Sequence, residues 1–207
     1  MNGFLQKLLA GQKVEWKKLG EVCEVKKGRQ LNKELLTEMG EYPAYNGGTS
    51  YSGFTNTYNY NENTIIVSQG GASAGFVNFV TTKFYANAHC YVILPDFKKV
   101  ENRYVYHYLK LNEEKLTQKQ HGAGIPALRT DELLSLQIPL PPLAVQKEIV
   151  AILDKFDALT TSITEGLPRE IALRQKQYEY YRNQLFQLME KSGYNKNLKK
   201  YNKKITF

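Results

Sequence analysis

Ile138-Pro-Leu-Pro-Pro-Leu-Ala-Val145-Gln146-Lys-Glu-Ile149 decides the fold, because two different kinds of chain meet there. Pro141 and Pro142 cannot sit inside a helix but suit its entrance. From that point apolar residues recur at Val145, Ile149, Ile152, Phe156, Leu159 and Ile163, with spacings of 4, 3, 4, 3 and 4. The alternation lays one narrow apolar seam along a helix, and such a seam needs another helix to cover it. The spacing predicts a helix over residues 143–164, about 33 Å long at ~1.5 Å per residue. Gly166-Leu-Pro168 breaks it. A second stripe follows through Leu167, Ile171, Arg174, Tyr178, Tyr181, Leu185 and Leu188. Across the break the spacing slips to three consecutive fours, so a kinked rod and a helical hairpin both fit.

Upstream of the prolines the pattern is mixed. Residues 4–12 suit a short amphipathic helix, and residues 14–25 read as turn and strand. Residues 42–63 hold Tyr, Asn, Gly, Ser and Thr with almost no aliphatic residue, which predicts long irregular surface. Residues 64–67, 76–80, 85–94 and 136–138 read as strands, and Gly70 to Gly75 as a turn. Residues 101–116 have helical spacing, and a loop over 118–126 precedes a short helix capped by Thr130. Strands and helices without βαβ regularity predict an α+β fold with long C-terminal helices. The expected domains are an α+β part over 1–140, a helical part over 141–190, and a basic, disordered tail over 191–207.

Charge is unevenly spread. Residues 190–207 hold six Lys against Glu190, a net +5 of the chain's +8. Residues 13–33 and 97–130 each carry seven Lys/Arg against three Glu, whereas residues 34–96 hold one Lys against five acids. Cys23 and Cys90 lie far apart without metal-ligand spacing, so neither a disulfide scaffold nor a metal site is expected. No apolar run approaches the about 18 residues of a membrane helix, and the start is too short and polar for a signal peptide. A soluble, cytoplasmic protein is the expectation.

Gly71-Ala-Ser73-Ala-Gly75 matches the G-x-S-x-G nucleophile elbow by letter, but that device needs a strand, a turn and then a helix. Strands flank it here, which disfavours a hydrolase. No phosphate-binding loop, dinucleotide fingerprint or paired-carboxylate spacing occurs, and no cofactor is expected. The cations Lys26, Lys27 and Arg29 suit DNA phosphates. Tyr45, Asn46, Gln69 and Ser73 offer stacking and base-edge groups, and Lys119, His121 and Arg129 form a second rank. Their concentration in loops, apart from any catalytic set, favours a nucleic-acid reader.

The chain resembles a specificity (S) subunit of a type I restriction–modification system. The resemblance covers about residues 13–190. It rests on Val14-Glu-Trp16-Lys-Lys-Leu19-Gly20-Glu21-Val22, on Tyr42-Pro43-Ala-Tyr45-Asn46-Gly47-Gly48, and on Ile65-Ile66-Val67-Ser68-Gln69-Gly70-Gly71-Ala-Ser73-Ala-Gly75. It continues through the proline–glutamine stretch, Leu153-Asp154-Lys-Phe156-Asp157, and Arg174-Gln-Lys-Gln177-Tyr178-Glu179-Tyr180-Tyr181-Arg182. The resemblance implies a non-catalytic DNA-recognition subunit whose partners are double-stranded DNA, methyltransferase (M) subunits and restriction (R) subunits. Full-length members carry two recognition domains and two helical regions, whereas one of each is found here, without an internal repeat. The expectation is therefore a half-subunit that homodimerises through Val145, Ile149, Ile152, Phe156, Leu159, Ile163, Tyr178, Tyr181 and Leu185. Alternatives are a truncated or phase-variable cassette that pairs with another half-subunit, and a stand-alone DNA-binding regulator.

Overall fold

The computed structural model describes residues 8–9, 11–118, 127–161 and 168–202; side chains in the two long helices are described to Ala158 and over residues 172–191. The chain divides into two compact units, one of residues 18–136 and one of residues 1–17 with 137–207. This differs from the expected boundary at 140. Strand β1 (Glu15–Lys18) pairs with β9 (Gln137–Leu140), so the segment before residue 18 belongs with the C-terminal residues rather than with the 18–136 unit. Of the expected helix over 4–12, Leu8 and Leu9 are helical, Gly11 ends the turn at a φ of 72°, and residues 1–7 and 10 lie outside the described residues.

The 18–136 unit opens with a one-turn helix α1 (Leu19–Val22) and is built on a four-stranded antiparallel sheet. Its order is β2 (Cys23–Lys27), β8 (Cys90–Pro95), β5 (Thr64–Ser68), β6 (Val77–Val80). Every residue of β5 is buried. That is why Thr64-Ile-Ile-Val67 reads as an unbroken β-branched run instead of an alternating one. On one face Ile66, Val80, Cys90 and Val92 cluster with Phe84 and Ala86. Helix α2 (Asn102–Leu111) packs on β5 and β6 and buries Tyr104, Val105, Tyr108 and Leu109.

A second sheet occupies the stretch expected to be irregular. It joins β4 (Gly53–Thr55), β3 (Tyr42–Tyr45) and β7 (Tyr85–Ala86), with β3–β4 antiparallel and β3–β7 parallel. Aromatic contacts replace aliphatic ones there: Tyr45 meets Phe84 edge-on at 5.7 Å, and Tyr60 stacks on Phe84 at 5.9 Å. The expected strand over 85–94 is two strands, divided by a turn at 87–89. The expected 101–116 helix divides at buried Asn112 into α2 and α3 (Glu113–Gln118). Helix α4 (Thr130–Leu134) is capped from Arg129, whose N–H donates to Glu132 at 3.4 Å; the Thr130 hydroxyl, expected as the cap, donates to the Tyr91 hydroxyl at 3.1 Å.

In the other unit α5 runs Leu143–Thr161, directly after the two prolines. Gln146 is buried, and its side-chain amide donates to the Pro141 carbonyl at 2.8 Å while its backbone N–H donates to Pro142 at 3.1 Å. The glutamine side chain thus supplies a donor to the buried Pro141 carbonyl at the helix entrance. Helix α6 runs Pro168–Asn202 and packs back on α5: Phe156 stacks on Tyr181 with ring centroids 5.6 Å apart. Those residues would be tens of ångströms apart on a rod at ~1.5 Å per residue, so the pair is a hairpin. Val145, Ile149, Leu153, Tyr178, Leu185, Phe186 and Met189 are buried. Of the stripe expected to await a second copy, Val145, Ile149, Tyr178 and Leu185 are buried, whereas Ile152, Phe156 and Tyr181 are half-buried. The side chain of Leu159, and Ile163 altogether, lie outside the described residues. Helix α6 also carries the backbone of residues 191–202, expected to be disordered. Extending a helix that is already nucleated costs little, and a Lys-rich composition does not register that.

Candidate nucleic-acid interface

Strand direction gathers the polar loops of the 18–136 unit at one end. In the antiparallel register Lys27 faces Tyr91, Ser68 faces Cys90 and Val67 faces Val77. The exits of β2 and β5 and the entries of β8 and β6 therefore share an end of the sheet. In the second sheet Tyr45 pairs with Ala86, which brings the loop after β3 to the same turn at 87–89.

That turn ties the loops together. The Asn87 N–H donates to the Tyr45 carbonyl at 2.8 Å, and its buried side-chain oxygen accepts from Leu31 N at 3.2 Å and Ala88 N at 2.7 Å. Arg29 N donates to the Ala86 carbonyl at 3.0 Å. Gln69 N donates to the His89 carbonyl at 2.8 Å, and the Gln69 carbonyl accepts from Leu128 N at 2.8 Å. Two glycines allow this closeness. A Cβ at Gly28 would lie 2.1 Å from the Asn87 carbonyl oxygen, and one at Gly47, whose φ is 82°, would lie 2.8 Å from that of His89. The absent side chain at Gly28 thus admits the protein's own backbone rather than a phosphate.

The expected DNA-contacting residues differ in what already holds them. Lys26 is paired with Glu24 at 3.2 Å, and the Arg129 guanidinium is paired with Asp131 through two nitrogens. Both are exposed, so these pairs are worth little to stability, yet each carries its own counter-charge. Lys27 is bound differently: with the Gln69 amide assigned the orientation that satisfies both its ends, its oxygen toward the ammonium, Lys27 Nζ donates to that oxygen at 2.9 Å and lies 6.0 Å above the Tyr91 ring. Arg29 is exposed, and no ion pair to it is found among the described residues. Asn46 is exposed beside half-buried Tyr45, whose hydroxyl pKa is pushed up by burial and by the neighbouring Tyr51 and Cys90. Ser73 sits in the turn between Gly71 and Gly75, both at positive φ, and β6 follows; the strand–turn–helix of a nucleophile elbow is not formed. Lys119 and His121 lie outside the described residues. The described residues stop at Gln118 and resume at Ala127, which bridges to Gly70 in this cluster.

Sequence reading missed Asn87, His89, Tyr91 and Thr130. A polar Asn-Ala-His inside the otherwise apolar run from Tyr85 to Leu94 was the available signal.

An α+β unit that gathers its polar loops at one sheet end, followed by a helical hairpin, defines a recognition module with a packing appendage. Residues 12–173 match the sequence family described as type I restriction modification DNA specificity domain, and the chain belongs to that family. It is 37% identical over 196 residues to a putative type I restriction enzyme specificity subunit of Haemophilus influenzae, covering 90% of this chain and 50% of that protein. It is 33% identical over 171 residues to a putative type I specificity subunit of Mycoplasma pneumoniae, covering 80% of this chain and 55% of the relative. The crystal structure of a type I restriction–modification S subunit from M. genitalium superposes with a TM-score of 0.69 at 28% identity, over 75% of this chain and 42% of that one. The chain spans about half the length of these relatives.

Proposed function

We propose that the chain is a non-catalytic, sequence-specific DNA-recognition subunit of a cytoplasmic type I restriction–modification complex. Each copy reads one half-site with the loop end of the 18–136 unit. The methyltransferase and restriction subunits that it positions supply adenine methylation and ATP-dependent cleavage. The observation that carries this reading is the convergence of Lys27, Arg29, Asn46, Gln69 and Ser73 at one sheet end within the family-matched residues. Lys27 and Arg29 suit phosphate contacts, which fix position; Asn46, Ser73 and His89 suit base edges, which fix sequence.

The helical unit supplies the pairing. With Val145 and Ile149 buried within the chain, a second copy packs instead on the α6 face that carries Leu173 and Tyr180. These are 60% and 59% exposed and stand seven residues apart, one heptad. A two-fold dimer of identical readers recognises an interrupted palindrome.

The test combines the full chain with its methyltransferase subunit. Co-elution and methylation of adenines in one defined sequence are expected. Lys27→Ala and Arg29→Ala should each lower the slope of log K against log salt by about 0.9, the value for one B-DNA phosphate contact. Methylation that ignores sequence, or unchanged binding when both cations are removed, would overturn the reading.

A further inference from the structure

Gln69 has the chemistry of an adenine reader, since a glutamine amide can accept from N6 and donate to N7 of the same base. Its surroundings do not leave that edge available. In the amide orientation that satisfies both its ends, the side-chain oxygen accepts from Lys27 Nζ at 2.9 Å, and the Tyr91 hydroxyl oxygen lies 3.3 Å from it. The side-chain nitrogen donates to the Ala88 carbonyl at 3.1 Å. Tyr91 is fixed in turn, with its hydroxyl donating to the Leu128 carbonyl at 2.9 Å and accepting from Thr130 at 3.1 Å. An amide oxygen has two lone pairs. Here one is taken by the ammonium, and the Tyr91 hydroxyl stands within 3.3 Å of the same oxygen.

The same contact does something useful for Lys27. Lys26, Lys110 and Arg129 are each held by a carboxylate, at Glu24, Glu113 and Asp131. A carboxylate partner fixes a cation in place but cancels its charge. The neutral amide of Gln69 fixes Lys27 and leaves its full charge, with two of its three N–H donors unspent on that bond. Such a group is ordered in advance of binding and still attracts an anion.

We propose that Gln69 is the positioning residue for Lys27, holding an un-neutralised ammonium at the loop end to receive one DNA phosphate, and is not itself a base reader. This rests on the DNA-recognition reading above. It predicts that Gln69 governs affinity for every sequence alike and leaves sequence preference untouched.

The experiment uses the full chain with two probes: a duplex of fixed arbitrary sequence titrated over a salt series, and a randomised duplex library from which bound members are sequenced. Gln69→Ala and Gln69→Asn, whose amide is too short to reach Lys27, should lower affinity for all duplexes by the same factor, roughly fivefold for one hydrogen bond. Both should select the same consensus as the unaltered chain. Gln69→Glu supplies a counter-charge and should lower the salt slope by about 0.9, matching Lys27→Ala. In a Lys27→Ala background it should lower the slope no further. Thermal melting of each variant confirms the fold. A changed consensus in folded Gln69→Ala or Gln69→Asn, or an unaltered slope in Gln69→Glu, overturns the positioning role alone. An unaltered chain that selects no consensus overturns the recognition reading and this inference with it.

Discussion

A single missing side chain at Gly28 sets how closely the loops approach one another. Any other residue would drive its Cβ into backbone, with the Asn87 oxygen 2.1 Å away and the Ala86 oxygen 2.5 Å away. Backbone cannot swing aside as a flexible side chain can. Gly28→Ala should therefore destabilise the chain by about 1–3 kcal/mol in urea unfolding, the cost of overpacking. Gly71→Ala meets nothing within 4 Å and pays only for its φ of 78°, so it should cost less. The two cysteines give a second residue-scale test. Burial pushes the Cys23 thiol up to about 12 and that of Cys90 to about 11. Only the thiolate reacts, so a thiol reagent at pH 8 should label neither in the folded chain and both after denaturation. The sign for stability follows from the same shift. A pKa raised on folding contributes stability that is whole below the ordinary value of 9.0 and is lost as pH rises above it. The midpoint of unfolding should accordingly fall between pH 9 and 11; early labelling at pH 8 would show the thiols to be accessible.

Elements were legible in proportion to how far their stability came from local pattern. The heptad of α5 and the β-branched run of β5 carry their own signatures, and both are found where the sequence predicts them. Strands β3 and β4 carry none. Their buried positions are Ala44 and Thr55, flanked by half-buried Tyr45 and Phe54 amid Asn, Gly and Ser, and the parallel partner β7 lies some forty residues away. The neutral grip of Gln69 on Lys27 was equally invisible, because it depends on which loops meet. Whether the helices fold back was also undecided in the sequence, since a heptad states that a seam is covered without stating by what. A test at this scale is Gln146→Leu. Apolar bulk is kept while the bond to the Pro141 carbonyl is lost, leaving a buried acceptor unpaired at a cost of about 1–3 kcal/mol. Ile149→Ala, fully buried on the same helix, should cost about 2–5 kcal/mol. Thermal unfolding of the full chain reads both, and a Gln146→Leu variant as stable as the parent would show the helix entrance to be held by other contacts.

At the scale of the whole molecule the question is what a second copy would cover. Val145, Ile149, Tyr178 and Leu185 of the expected seam are buried within one chain, so the proposed pairing rests on what remains exposed on the longer helix. Leu173 and Tyr180 meet that description, and Lys176 lies between them on the same helix. Leu173→Lys together with Tyr180→Lys would place like charges across a two-fold contact while leaving every residue of the 18–136 unit unchanged. Sedimentation at micromolar concentration should then show a monomer where the parent sediments as a dimer. Binding separates the two roles further. A duplex with two half-sites should lose roughly a hundredfold in affinity, because linked binding of the second reader is lost, whereas a duplex with one half-site should bind as before. Equal loss on both duplexes would mean that the helical unit acts on DNA contact itself. A parent chain that is monomeric at the outset would leave pairing to a different half-subunit.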